Sequence, residues 1–157
     1  MKKNFLLSIA LLVSAFVSAQ PALGSFKQTW KVGPDWLRNG VIYQVYPSSY
    51  KDSDGNGIGD IQGVISKLDY IESLGVSAIW FNPLFVSGWI DGGYDVIDFY
   101  RVDPRFGTNN DLVELIRKAH DKGIKVMLDL VAGHTSDKHP WFLQSAQDSN
   151  LQYSDYY

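Results

Sequence analysis

The sequence predicts an α/β fold in which strands and helices alternate along the chain. Three short apolar runs, residues 41–46, 76–81 and 124–131, have the composition of β-strands. Between them, apolar residues recur at three- and four-residue steps, which is the period of a helix packed on one side. A strand–helix–strand–helix–strand order predicts three parallel strands joined by right-handed crossovers.

The composition of the 157 residues is that of one modest globular domain. A formal charge of -3 argues against nucleic acid as a partner, because phosphate binding calls for a basic surface. The absence of cysteine excludes a thiol nucleophile, disulfides and cysteine-type zinc sites. The aromatic content suits stacking on sugar rings, but it serves a hydrophobic core equally well.

Residues 1–19 have the features of a secretory signal peptide. Lys2 and Lys3 precede a short apolar stretch, and residues 17–19 form a small-residue cleavage signature. The stretch is too short to span a membrane, and no later segment is long enough. The sequence therefore predicts a secreted or periplasmic protein with no membrane partner after signal removal, in which residues 20–39 lead into the fold.

The first predicted strand, residues 41–46, is followed by an acidic, glycine-rich loop and then by a helix. Asp60 can cap the start of this helix, and Gly75 can end it. Its apolar side consists of Ile61, Val64, Ile65, Leu68, Ile71 and Leu74. Residues 76–81 are the second strand, and residues 82–107 are predicted to form a long polar and aromatic loop.

The second predicted helix begins at Thr108, which fits a capping box with Asp111, and ends at Gly123. Its apolar side consists of Leu112, Leu115, Ile116 and Ala119. The third strand, residues 124–131, is nearly continuously apolar, and this pattern predicts burial on both faces within a parallel sheet.

Asp129 interrupts the apolar run of the third strand, and His134 follows just beyond it. A buried carboxylate is costly unless it is hydrogen-bonded or paired. Because ligands of α/β folds bind at the carboxyl ends of strands, these two residues mark the predicted site face. Two simpler interpretations remain open: Asp129 as a structural hydrogen-bond acceptor, and His134 as a loop histidine without a role.

Two architectures begin with this order of elements, a doubly wound sheet and a (β/α)8 barrel. Long segments after the carboxyl ends of the strands favour the barrel, where such loops build the site. A whole barrel needs about 250 residues, so three βα units account for only part of one. Either the α/β fold is something smaller, or residues 40–157 are the amino-terminal portion, about three βα units, of a truncated (β/α)8 TIM barrel; the family resemblance described below implies the truncated barrel.

The most specific local pattern is the loop at residues 52–60. Its oxygen-bearing side chains alternate with other residues, as in the first nine positions of an EF-hand loop. The predicted calcium ligands are Asp52, Asp54, Asn56, the backbone carbonyl of Ile58, and Asp60. The twelfth position is Gly63 in place of a bidentate glutamate, which excludes a sensor EF-hand. The alternative is an acidic turn without metal, whose unneutralised carboxylates would repel one another.

A second candidate segment, residues 91–95, lies in the loop after the second strand, on the face predicted for His134. Tyr94 can offer a flat platform to a sugar ring, and Asp91 can accept hydrogen bonds from sugar hydroxyls. The alternative is a glycine-rich turn with a structural tyrosine, in which Asp95 holds the loop.

These motifs, in this order, resemble the opening of the catalytic domain of the alpha-amylase family of glycoside hydrolases. The resemblance covers residues 40–157, and the oligo-1,6-glucosidase-like and neopullulanase-like branches are nearest. The residues that carry it are 41–46, 52–60, 93–100 with 103–108, and 129–136.

The resemblance implies roles for four residues. Tyr94 stacks on the sugar before the scissile bond, and His134 hydrogen-bonds the hydroxymethyl group of that sugar. Asp91 contacts the hydroxyls at its non-reducing end, and Asp129 supports the site from beneath. Gly133 stands where the family usually has an asparagine that binds calcium in many alpha-amylases, which favours the acidic loop as the calcium site.

The resemblance further implies hydrolysis of α-glucosidic bonds in starch-derived oligosaccharides or polysaccharides with retention of configuration. Retaining glycosidases use two carboxylates about 5–5.5 Å apart. In this family these come from later strands, beyond Tyr157, which falls at the start of the domain inserted after strand three; no catalytic residue is therefore assigned. The alternatives are an inactive truncated remnant, a transglycosylase or isomerase of the same family, and a calcium-dependent sugar-binding module.

Overall fold

The computed structural model describes residues 33–147 and 152–157. The predicted signal peptide and most of the predicted lead-in lie outside the described residues. No helix within the described ranges is long and apolar enough to cross a bilayer. The elements are α1 (Asp35–Arg38), β1 (Ile42–Val45), α2 (Pro47–Tyr50), α3 (Ile61–Ile65), α4 (Leu68–Ser73), β2 (Ala78–Phe81), β3 (Phe85–Ser87), β4 (Val96–Val102), α5 (Asn109–Asp121), β5 (Lys125–Leu128), α6 (Pro140–Ser145) and a 3₁₀ helix (Ser154–Tyr156).

The centre of the fold is a parallel sheet in which β2 lies between β1 and β5. At the carboxyl end of β2, Phe81 pairs with Val45 on one side and with Leu128 on the other. The three predicted strands and their parallel arrangement are confirmed, although each is shorter than its apolar run. All three carboxyl ends lie at one end of the sheet.

The predicted helix at residues 61–74 is two short helices, α3 and α4. The Ser66 hydroxyl donates to the Gly63 carbonyl at 2.6 Å, and this local bond competes with the helical ladder. Gly63 is required because a Cβ at that position would lie 1.9 Å from the carbonyl oxygen of Lys51. Asp60 caps α3 as predicted, with Oδ1 accepting from the Gly63 N–H at 2.6 Å.

The capping box predicted for α5 is confirmed. The Asp111 N–H donates to Thr108 Oγ1 at 3.2 Å, and the Thr108 N–H donates to Asp111 Oδ2 at 2.7 Å. The hydrogen bond from the Thr108 hydroxyl is the main reason that the pKa of Asp111 lies below its usual range. Gly123, directly past the end of the helix, has a φ of 75°, which favours glycine.

The hydrophobic core joins the sheet to α3, α4 and α5. Leu74 is an exception to the predicted helix face, because it follows the last residue of α4 and is 45% exposed. The core consists of Val45, Ile61, Val64, Leu68, Ile71, Ile79, Phe81, Leu84, Val102, Phe106, Leu115, Ala119 and Ile124.

The prediction that the third strand is buried on both faces is wrong. Within the described residues β5 pairs only with β2, and Leu128 and Leu130 are 36% and 73% exposed. Asp129 is not inside the strand either. It is the first residue after β5, and its N–H donates to the Phe81 carbonyl at 3.2 Å. The apolar run in the sequence continues beyond the point where the pairing with β2 ends.

The prediction of one long loop at residues 82–107 is also wrong in part, because this segment contains an antiparallel pair, β3 and β4. The strand β4, with β-branched and aromatic residues at five of its seven positions, has strong strand propensity. Asn82 precedes the pair, and residues 88–95 connect its two strands.

Candidate functional site

A chain of hydrogen bonds crosses the carboxyl ends of the three parallel strands. Gln44, in β1, donates from Nε2 to Asn82 Oδ1 at 3.1 Å. Asn82, directly after β2, donates from Nδ2 to the Tyr94 hydroxyl oxygen at 3.1 Å. The Tyr94 hydroxyl donates to Asp129 Oδ2 at 2.9 Å, and Asp129 directly follows β5. The chain therefore links three strand ends to the connection between β3 and β4.

Tyr94 and Asp129, two of the predicted site residues, are thus in direct contact. The hydrogen bond that Tyr94 donates to Asp129 raises the pKa of Tyr94 above its ordinary value, and partial burial of the phenol adds to this rise. The N–H donated by Asn82 has the opposite, smaller effect on the same pKa. At neutral pH the phenol therefore keeps its proton and directs it at the carboxylate.

Asp91 lies in the same connection as Tyr94, and its side chain shapes the turn between them. Its Oδ1 accepts a hydrogen bond from the N–H of Asp95 at 2.8 Å. Gly92 and Gly93 occupy the turn with φ values of 79° and 108°, a region that favours glycine. Asp91 itself is exposed, so its carboxylate is accessible from solvent.

Asp95 holds this connection from inside. Its Oδ1 accepts from the Ile90 N–H at 3.3 Å, and its carbonyl accepts from the Gly88 N–H at 3.2 Å. Gly88 leaves room for the carboxylate, because a Cβ there would lie 2.3 Å from Asp95 Oδ2. Oδ2 and the hydroxyl of Ser87 are both buried without a hydrogen-bond partner among the described residues.

Trp89 fixes the start of the connection. It has a φ of 58°, which is uncommon for a residue with a side chain. Its Nε1 donates to Asp103 Oδ2 at 2.8 Å, and the guanidinium of Arg105 lies 3.7 Å above its ring. Arg105 also pairs with Asp103 at 3.1 Å. These contacts hold the backbone in a conformation it would otherwise avoid.

His134 is exposed in the segment that follows β5. Within the described residues its side chain makes no hydrogen bond, so it is not joined directly to Tyr94 or Asp129. It borders a cavity of about 370 Å³ with a largely aromatic and aliphatic lining. The lining residues are Phe99, Tyr100, Leu130, Val131, Ala132, Gly133, His134, Thr135, Trp141, Tyr156 and Tyr157.

The acidic loop brings three carboxylates together. Asp52, Asp54 and Asp60 each present an oxygen, and these oxygens lie within 4.8 Å of one another. The loop is folded around Asp52, whose Oδ2 accepts from the Gly57 N–H at 2.8 Å and whose Oδ1 accepts from the Gly55 N–H at 2.7 Å. These N–H groups hold the pKa of Asp52 below its usual range.

Asn56 and Asp60 complete this loop. Asn56 Oδ1 accepts from the Ile58 N–H at 2.8 Å. Asp60 Oδ2 accepts from the backbone and the hydroxyl of Ser53 at 2.8 and 2.9 Å, while Oδ1 caps α3. The donor set is all oxygen and strongly anionic, which fits a hard divalent cation such as calcium.

Gln44 and Asn82 are part of the site, but the sequence patterns did not single them out. Neither residue is charged, and each lies inside or beside an apolar run that reads simply as a strand. The available signal was position: a polar side chain near the carboxyl end of a parallel strand lies at the site end of an α/β sheet.

Comparison with known proteins places this site in a family. Residues 44–157 match the family model described as the alpha amylase catalytic domain. The chain belongs to the alpha-amylase family. The resemblance inferred from the motifs is thereby confirmed.

The family's members include close relatives of this chain. An oligo-1,6-glucosidase from Heyndrickxia coagulans is 45% identical over 123 residues, covering 78% of this chain and 22% of the relative. The crystal structure of a trehalose-6-phosphate hydrolase from Bacillus licheniformis superposes with a TM-score of 0.77 at 47% identity, covering 79% of this chain and 22% of that one. An isomaltulose synthase from Klebsiella sp. LX3 superposes with a TM-score of 0.77 at 46% identity, with coverages of 80% and 22%.

These relatives are (β/α)8 barrel enzymes, so the fold prediction is also confirmed. The parallel strands β1, β2 and β5 with their crossover helices are the amino-terminal portion of an alpha-amylase-family barrel. The chain spans about 22% of the length of the relatives named above.

Proposed function

We propose that this alpha-amylase-family chain supplies the sugar-holding part of a secreted glycoside hydrolase. Its substrates would be α-glucosidic bonds of starch-derived oligosaccharides or polysaccharides, cleaved with retention of configuration. The observation that carries the proposal is the 2.9 Å hydrogen bond from Tyr94 to Asp129, which fixes an aromatic residue at the carboxyl ends of the strands. The signal-peptide pattern of residues 1–19 supports secretion.

In this proposal each substrate-binding residue has a distinct task, and its contacts in the structure support that task. The Tyr94 hydroxyl has partners on both sides, so its ring plane is defined and one face can stack on a pyranose. Asp91 uses Oδ1 within the turn, and its exposed carboxylate can accept bonds from sugar hydroxyls. Asp129 holds Tyr94 from beneath, and exposed His134 can donate to a hydroxymethyl oxygen.

We assign no nucleophile and no acid/base within the described residues. Asp91 accepts a hydrogen bond within the turn, and Asp129 accepts one from Tyr94. In this proposal the catalytic pair would come from later strands of the barrel, as the family resemblance implies. The part of the mechanism that falls to this chain is binding and orientation. A rigid, pre-aligned sugar platform lowers the entropic cost of bringing the reacting bond to the carboxylates.

Calcium is the proposed structural ion of the acidic loop. Asp52, Asp54, Asn56, the carbonyl of Ile58, and Asp60 would hold it. The ion would neutralise the clustered carboxylates and stabilise the turn that leads into α3. It takes no part in bond cleavage in this proposal.

Calorimetric titration of the chain with maltooligosaccharides, in the presence of calcium, tests the proposed function. We expect heat of binding from the wild type and about tenfold weaker binding by Tyr94→Ala, because the stacking face is lost. The matched control is Tyr70→Ala, which removes an exposed tyrosine of α4. Absence of binding by the wild type, or equal affinity of Tyr94→Ala, would contradict the proposal.

A second candidate is a sugar isomerase, favoured by the similarity to the isomaltulose synthase. Such an isomerase would hold the first sugar on the same Tyr94 ring and would differ in how it holds the second sugar. Titration with sucrose against isomaltose separates the two candidates, because tighter binding of sucrose favours the isomerase. The reading frame beyond the codon for Tyr157 tests both against an inactive remnant: an Arg-x-Asp motif followed by a later glutamate supports an enzyme.

A further inference from the structure

We propose that Gln44 and Asn82 are positioning residues that align Tyr94 for sugar binding. They form a directed pair of side-chain amides between β1 and the Tyr94 hydroxyl. The proposal rests on the function proposed for the site, but it concerns two residues that have no assigned contact with sugar. Asn82 contacts Tyr94, and Gln44 contacts Asn82.

The donor-to-acceptor direction of these hydrogen bonds follows from the carboxylate of Asp129 at the end of the series. An ionised carboxylate such as Asp129 can only accept hydrogen bonds, so the Tyr94 hydroxyl must donate to it. The phenol oxygen is then left as an acceptor, and Asn82 must present its NH₂ group. That orientation leaves the Asn82 oxygen facing Gln44, which must in turn donate. One negative charge therefore sets the orientation of two neutral amides.

The pair is anchored to the parallel sheet. Gln44 lies within β1, in register with Trp80 of β2. The backbone N–H of Asn82 donates to the Val45 carbonyl at 3.1 Å, so Asn82 is tied to β1 through both its backbone and its side chain. The Tyr94 hydroxyl is consequently positioned by the sheet, although Tyr94 itself lies in a glycine-rich connection.

This arrangement adds a restraint on the tyrosine itself, beyond the contacts that hold the backbone of the connection. Gly92 and Gly93 precede Tyr94, and glycine has the largest conformational freedom of any residue. A single bond to Asp129 would allow the ring to rotate about the hydroxyl, whereas a second bond from Asn82 fixes its direction. A purely structural role for the amides would affect stability without changing the environment of the phenol.

The test uses the full chain with ¹³Cζ-labelled tyrosine, in which Tyr94→Phe assigns the Tyr94 resonance. Asn82→Leu removes the N–H that favours the phenolate, so the alkaline titration midpoint of Tyr94 should rise. The affinity for maltotriose should fall several-fold. Gln44→Met keeps roughly the size of the side chain, adds no charge and cannot donate to Asn82, and it should change both measurements in the same directions. Gln62→Leu is the matched control, because that exposed amide bonds only to Asp111 and Glu114 in the part of the chain that the structure describes.

The outcomes separate this inference from the proposed function. If the wild type fails to bind maltotriose but the Tyr94 midpoint still rises in both variants, the proposed function is wrong and the alignment stands. If the wild type binds, and the variants bind equally with an unchanged Tyr94 midpoint, the alignment is wrong. If Asn82→Leu does not fold, the same two measurements on Gln44→Met decide the question.

Discussion

Replacing Asp54 with asparagine tests the calcium proposal with little disturbance to the loop. Asp54 Oδ1 accepts from the Asn56 N–H, and Oδ2 accepts from Asn56 Nδ2, both at 3.0 Å. Asparagine keeps an oxygen for the backbone N–H but removes one of three carboxylates that lie within 4.8 Å of one another. Asp60 is a poorer choice, because it also caps α3.

The expected magnitude follows from ligand linkage. With calcium at about 100 times its dissociation constant, the bound ion raises the free energy of unfolding by about 2.7 kcal/mol. Fewer ligand charges lower calcium affinity. If the affinity of Asp54→Asn is lower by about 100-fold, the same calcium concentration contributes only about 0.4 kcal/mol. Without calcium the variant should be about as stable as the wild type, because the reduced carboxylate repulsion offsets the lost hydrogen bond from Asn56 Nδ2.

Thermal unfolding with calcium and with a chelator measures this difference. The wild-type midpoint should rise by roughly 5–10 °C on adding calcium, and the midpoint of Asp54→Asn by roughly 1 °C. Asp137→Asn is the matched control, since it removes an exposed carboxylate outside the loop. Equal shifts in wild type and Asp54→Asn, or no shift in the wild type, would refute the assignment of calcium to this loop.

Three further predictions concern stability and binding. Burial lowers the pKa of His139 despite the nearby Asp98, so the folded state binds fewer protons than the unfolded chain. The unfolding midpoint should therefore fall as the pH drops below about 6.5. His139→Asn, whose side-chain oxygen can replace Nδ1 as the acceptor for the Trp141 N–H, should lose this dependence. Trp89→Phe leaves Asp103 Oδ2 without the indole donor and should cost about 1–3 kcal/mol in urea unfolding; an unchanged midpoint would show that the bond contributes little. Tyr94→Phe keeps the stacking face, so calorimetry should place its maltooligosaccharide affinity between those of the wild type and Tyr94→Ala.

The sequence predicted those features of the fold that depend on residues close together in the chain. The capping box at Thr108 and the cap at Asp60 depend on residues within one helical turn, and both are present in the structure. The break after α3 has a local cause too, the Ser66 bond to the Gly63 carbonyl, but the apolar period continues across it. The β3–β4 pair depends on partners up to 17 residues apart, such as Phe85 and Val102, which periodicity does not reveal.

The candidate site shows the same division. Tyr94, in the loop after the second strand, and Asp129, inside the third predicted strand, were predicted to share a face, and the hydrogen bond between them agrees with that prediction. The structure places Asp129 directly after the strand. The amides of Gln44 and Asn82 carry no charge and no motif, so only the register of β1 with β2 brings them together. His134 was predicted from its position in the sequence. Among the described residues its side chain makes no hydrogen bond to Tyr94, and this depends on how the segment after β5 folds.

The acidic loop at residues 52–60 and the amide pair of Gln44 and Asn82 contact different parts of the fold. The loop is tied to the segment after β1, where the Gly59 N–H donates to the Ser48 carbonyl at 2.8 Å, and to the start of α3 through Asp60. Among the described residues no hydrogen bond joins residues 52–60 to Gln44, Asn82, Tyr94 or Asp129. Calcium binding should therefore change the free energy of unfolding directly and sugar affinity only through overall stability, because independent sites contribute additively. The proposed sugar platform at Tyr94 depends on the register of the sheet.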